Sequence, residues 1–139
     1  MKKLVFLIAV VLLISCEKEV LELDALGANV EIVGTWIEQE YKGDTALFKR
    51  ANELDDLKYG FTLGEDGSFI ERKNSGWCGT PPISYANYDG TWEALSDSLL
   101  SITVGYWGGM MTYQMRVVSL KGEELAIKYL YSEDMAQTR

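Results

Sequence analysis

The residues most able to do chemistry fall in two aromatic segments. The stretch 74–88, NSGWCGTPPISYANY, holds Trp77, Cys78, Pro81, Pro82, Tyr85 and Tyr88. Its prolines lower the entropy cost of holding a shaped surface, and long connections are uncommon unless they act as lids, binding surfaces or linkers. The second segment is Tyr106-Trp107-Gly108-Gly109-Met110-Met111, where paired glycines permit a tight turn and methionine suits adaptable apolar pockets. Trp77, Tyr85, Tyr106, Trp107 and Tyr113 are the candidate liners of a site for a small apolar or aromatic compound. The competing reading is that the same aromatics plug the domain or grip another protein.

Other chemistry is poorly supplied. The chain has no histidine, which removes Ser-His and Cys-His catalysis and His-ligated zinc or haem. Two cysteines make neither a zinc site nor a disulfide framework, and Cys78, with no evident base beside it, reads as buried and inert rather than reactive. Glu38 and Glu40 lie two apart on one strand face, and Asp55 and Asp56 are adjacent, but nothing sets such a pair across a cleft as glycoside hydrolysis requires. No glycine-rich phosphate loop opens a helix. The expectation is a protein that is not an enzyme and carries no metal or cofactor. Lys and Arg total 13 against 21 Asp and Glu, a formal net charge of −8, which argues against nucleic acid as a partner.

The elements that must position these residues are short and punctuated by glycine. Eight strands are expected, at about 32–41, 45–50, 58–63, 68–73, 88–94, 99–104, 110–119 and 124–131. Period-2 alternation supports several. Leu100, Ile102 and Val104 share a face, as do Tyr113, Met115 and Val117, and Leu125, Ile127, Tyr129 and Tyr131. The segment ALFKRANELDDL also has helical spacing, but the Gly43-Asp44 turn favours a strand at 45–50 and a loop or single helical turn at 51–57. Short loops make sequence neighbours spatial neighbours, and closure removes exposed edges. The fold class expected is therefore all-β, an antiparallel up-and-down barrel of about eight strands.

At the N-terminus, Lys2 and Lys3 precede the unbroken apolar run Leu4–Ile14. That run is too short to span a bilayer, which takes about 20 residues, and has the length of a secretory signal core. It ends in Leu13-Ile14-Ser15-Cys16, which resembles the lipobox of bacterial lipoproteins. The resemblance implies a signal peptide at 1–15, acylation of Cys16, and lipid anchoring to the outer membrane of the cell envelope, on its periplasmic or exposed face. Residues 16–29 read as the lipidated Cys and an acidic tether, 30–131 as the domain, and 132–139 as a polar tail.

Gly34-Thr35-Trp36 opens the first strand, and Gly90-Thr91-Trp92 repeats it between YGFTLGEDGSF and LSITV. This pattern resembles the short lipocalin-like domains of bacterial envelope lipoproteins. The resemblance implies that Gly34 lets the chain bend, that Trp36 plugs the closed barrel end, and that Arg116 or Arg139 covers it. Each repeated Gly is expected to begin a strand and each Trp to be a core residue. The chain lacks the lipocalins' Thr-Asp-Tyr motif, so the interior could be open or filled. The function expected is a lipid-anchored binding module or, alternatively, a structural lipoprotein with a filled barrel that contacts another envelope protein.

Overall fold

A computed structural model describes residues 31–76 and 81–131. The expected signal, Cys16 and the expected tether, together with Trp77, Cys78 and residues 132–139, lie outside the described residues. The strands are β1 (Gly34–Lys42), β2 (Thr45–Ala51), β3 (Gly60–Leu63), β4 (Ser68–Asn74), β5 (Tyr85–Ser96), β6 (Leu99–Tyr106), β7 (Gly109–Lys121) and β8 (Glu124–Leu130). They close into an antiparallel barrel in the order β1-β2-β8-β7-β6-β5-β4-β3. Segment 45–50 is indeed extended. Strand β5 starts three residues earlier than its pattern predicts, which shortens the preceding loop to 75–84.

Sequence neighbours are spatial neighbours with one exception. β2 does not pair with β3: β1 lies between them, and β2 bonds to β8 instead. The connection 52–59 must therefore cross β1. Leu54 is carried beside Ile37 and Gly60; a Cβ at Gly60 would sit 2.9 Å from Ile37 Cδ1 and 3.2 Å from Leu54 Cδ2. Ile37 faces away from the barrel axis, opposite to Trp36, yet it is buried. That cover explains why β1 begins with three consecutive buried positions, Thr35, Trp36 and Ile37, rather than alternating.

Directly paired residues share a face, so the ladders identify the interior. Trp36 opposes Arg50 and Phe61. Phe69 opposes Leu63 and Gly90, and Ile102 opposes Trp92 and Tyr113. Phe48, Phe61, Phe69, Leu100, Ile102, Met115 and Ile127 form one fully buried apolar cluster, and Phe48 and Phe61 pack with ring centroids 5.0 Å apart. This end of the barrel is filled by side chains, as an eight-stranded barrel permits.

Trp36 anchors the filled end. It is wholly buried, and its indole N–H donates to the Ile32 carbonyl at 2.8 Å. The cation over its ring is Arg50, at 4.2 Å from the centroid, which corrects the expectation of Arg116 or Arg139. Arg116 is exposed on the outer face of β7, and Arg139 lies outside the described residues. Arg50 is on β2, directly opposite Trp36, and its guanidinium donates to the carbonyls of Val33 (2.8 Å) and Glu31. Gly34 has φ +133° and lies against the Arg50 guanidinium; this conformation, which residues with a side chain rarely adopt, is what requires glycine.

The second Gly-Thr-Trp has a different setting. Gly90 lies inside β5 rather than at its start. Trp92 is half-buried against the core, and its indole N–H donates to the Gly64 carbonyl at 2.8 Å, tying β5 to the β3–β4 turn. A Cβ at Gly90 would fall 2.2 Å from the Thr103 carbonyl oxygen and 2.8 Å from Val104 Cα. Both obstacles are backbone in a neighbouring strand and cannot swing away. Gly90→Ala is expected to destabilise the fold by about 1–3 kcal/mol, readable as a lowered urea midpoint; an unchanged midpoint would contradict this packing.

Candidate functional site

At the end opposite Trp36, the barrel opens into a cavity of about 440 Å³. Its centre is Glu71, only 4% exposed. Alternation on β4 puts Glu71 on the same inward face as Phe69, one step nearer the mouth. Its Oε1 accepts from Tyr59 Oη at 2.5 Å and Tyr113 Oη at 3.1 Å, and its Oε2 accepts from Lys73 Nζ at 2.6 Å. Tyr129 Oη donates to Tyr59 Oη at 3.0 Å. Strands β4, β7 and β8 and the β2–β3 connection thus meet in one network around a carboxylate, whose burial would be costly without these donors.

The tyrosines also form a wall. Tyr113 packs against Tyr129 and Tyr131 with centroids 5.8 and 5.9 Å apart, and Tyr129 stacks on Tyr131 at 6.3 Å and 18°. Lys73 Nζ lies 5.1 Å from the ring centroid of Tyr88. Tyr85, Met111 and Ile83 complete the far side. The 75–84 loop is fastened at its base, where Ser75 N–H donates to the Ser84 carbonyl at 2.7 Å.

A β-bulge shapes the remaining wall. The β1–β2 register shifts between Glu38 and Glu40, and a bulge re-aims the residues beyond it. Glu38 and Tyr41 both line the cavity as a result. The expectation that Glu38 and Glu40 share a face is thereby corrected: Glu40 is exposed and pairs with Lys42 at 3.1 Å. Burial raises the Glu38 carboxyl above its ordinary range, an effect partly offset by its hydrogen bond with Tyr41.

Among the five liners proposed from sequence, Tyr85 and Tyr113 lie on this cavity. Tyr106 and Trp107 do not line it; they pack edge to face, 6.0 Å apart, at the β6–β7 turn, where Trp107 is 70% exposed. Trp77 lies outside the described residues. Sequence reasoning missed Glu38, Tyr41, Tyr59, Glu71 and Lys73 as site residues. Among the described residues, no group of three His, Cys, Asp or Glu side chains is placed to hold a metal ion.

Burial holds Tyr59, Tyr113 and Tyr129 protonated well above the ordinary tyrosine value of 10.0, and the charge of Glu71 adds to the effect. Because the folded state keeps these protons longer than the unfolded state, their contribution to stability is complete below about pH 10 and lost as pH rises beyond it. An alkaline titration should therefore show a late class of tyrosines whose phenolate absorbance appears together with unfolding. Smooth ionisation of all the tyrosines while the fold persists would contradict the buried network.

No protein-family model matches the chain, and no curated protein or solved structure is significantly similar to it.

Proposed function

We propose that this chain is a lipid-anchored cell-envelope protein whose lipocalin-like barrel binds a small apolar or aromatic molecule in its mouth. The observation that carries the reading is the tyrosine-walled cavity around buried Glu71. Its volume of about 440 Å³ falls within the usual range for ligand sites, about 300–1,000 Å³, and apolar walls with a few convergent polar groups are their usual make-up. Rings of Tyr113, Tyr129 and Tyr131 offer flat apolar area, while the Glu71–Lys73 pair offers a fixed polar end. The filled core beneath restricts the ligand to the mouth.

The anchor rests on Lys2, Lys3, the apolar run and Leu13-Ile14-Ser15-Cys16. Ile32, the first buried residue among those described, packs at the Trp36 end. A tether from Cys16 would thus join the domain at its closed end, leaving the mouth distal to the attachment point. The lipocalin likeness draws support from Gly34, Trp36 and Arg50 at that end, although a simple meander would pair β2 with β3.

A second reading, an interaction protein, is favoured by the exposed Trp107 and Met110 at the β6–β7 turn, since exposed apolar patches mark contact surfaces. Thermal-shift measurements on the full chain in detergent, with a panel of fatty acids and aromatic alcohols, separate the two. Binding in the mouth predicts stabilisation by some of the panel, lost in Tyr85→Ala and Tyr131→Ala and retained in Trp107→Ala. No stabilisation by any compound would turn the argument toward the exposed turn.

A further inference from the structure

From the charge placed in the mouth, we infer that the ligand is an organic cation, an amine or quaternary ammonium compound carrying an apolar body. The inference rests on the mouth being a binding site and names the class of compound it takes. Among the described residues, three charged side chains line the cavity: Glu38, Glu71 and Lys73. Lys73 is committed, with its Nζ 2.6 Å from Glu71 Oε2 and over the Tyr88 ring. Glu38 has no such partner; none of the ion pairs among the described residues includes it.

The surroundings of Glu38 fit a cation and disfavour the alternatives. Its backbone N–H donates to the Tyr59 carbonyl at 3.0 Å, which fixes it beside the network on Glu71. Tyr41 stands on the same wall, beyond the bulge. The stacked Tyr129 and Tyr131 rings supply the negative faces that attract ammonium groups. An anion would meet two carboxylates and find the one ammonium already engaged. A neutral compound would shield Glu38 from water without replacing its solvation. A cation supplies the charge the mouth lacks and makes a charge-assisted hydrogen bond or close ion pair with Glu38.

Calorimetric titration of the full chain in detergent tests this with matched probes: phenethylamine and phenyltrimethylammonium as cations, 2-phenylethanol as the neutral analogue, and phenylacetate as the anion. The expected order is cations tightest, with about a tenfold advantage over 2-phenylethanol, and phenylacetate weakest. Glu38→Gln, which keeps the side-chain shape, should reduce the cations to the affinity of the neutral probe. Glu40→Gln, on the outer surface, should change nothing. Equal affinity for 2-phenylethanol and the cations would overturn the inference while leaving a mouth that binds small molecules. Tightest binding of phenylacetate, or cation binding indifferent to Glu38→Gln, would overturn it as well. Failure of every probe to bind would overturn both the inference and the reading beneath it.

Discussion

Trp36→Ala is expected to lose roughly 3–5 kcal/mol of folding stability, the range for truncating a large buried aromatic. Trp36 is fully buried, and its N–H bonds the Ile32 carbonyl. Its removal leaves a void between the apolar cluster and Arg50, and Arg50 loses the ring it covers. Arg50→Ala should cost less, because the core remains filled, but it frees the Val33 and Glu31 carbonyls from their donor. Urea unfolding checks the order: wild type, Arg50→Ala, then Trp36→Ala. A Trp36→Ala protein of wild-type stability would contradict the assignment of this residue as the plug.

The second large effect concerns the mouth. Lys73→Met should destabilise by about 3 kcal/mol, since removing one member of a buried pair leaves an uncompensated charge. The side chains of Lys73 and Glu71 are 20% and 6% exposed, and their charged atoms lie 2.6 Å apart. Glu71→Gln should cost less, because the amide oxygen still accepts from Tyr59 and Tyr113 while the half-buried Lys73 can turn toward solvent. The double variant should be more stable than Lys73→Met alone, as direct partners are not additive. A neutral Lys73→Met would mean that the ammonium does not compensate Glu71.

Much of this architecture is legible in the sequence. Alternation in LLSITV, TYQMRVV and ELAIKYLY placed β6, β7 and β8, and the turn residues Gly43 and Asp66-Gly67 marked two hairpins. The crossover of 52–59 is not legible, because the spacing of Leu54 within ALFKRANELDDL fits a helical turn and does not say which strand the segment passes over. The bulge at Gln39 has no sequence signature either, and it alone decides that Tyr41, rather than Glu40, joins the mouth. Glu71 did leave a signal. Phe69, Glu71 and Lys73 alternate in register, so a strand that buries Phe69 must also turn Glu71 inward. Charged side chains read as solvated unless a partner is in view, and the partners here, Tyr59 and Tyr113, are 12 and 42 residues away. Alternation puts Tyr129 and Tyr131 on one face with Ile127, but only the long-range register brings them against Tyr113.

The role proposed for the tyrosine-walled mouth is to hold a small molecule. The most direct test is native mass spectrometry of the full chain, purified in mild detergent from the cells that make it, beside a Tyr113→Ala/Tyr131→Ala variant. The wild type is expected to carry the added mass of a small compound, retained under gentle activation and absent from the variant. An unliganded mass for both proteins, with no adduct after incubation with the ammonium and alcohol probes, would contradict it.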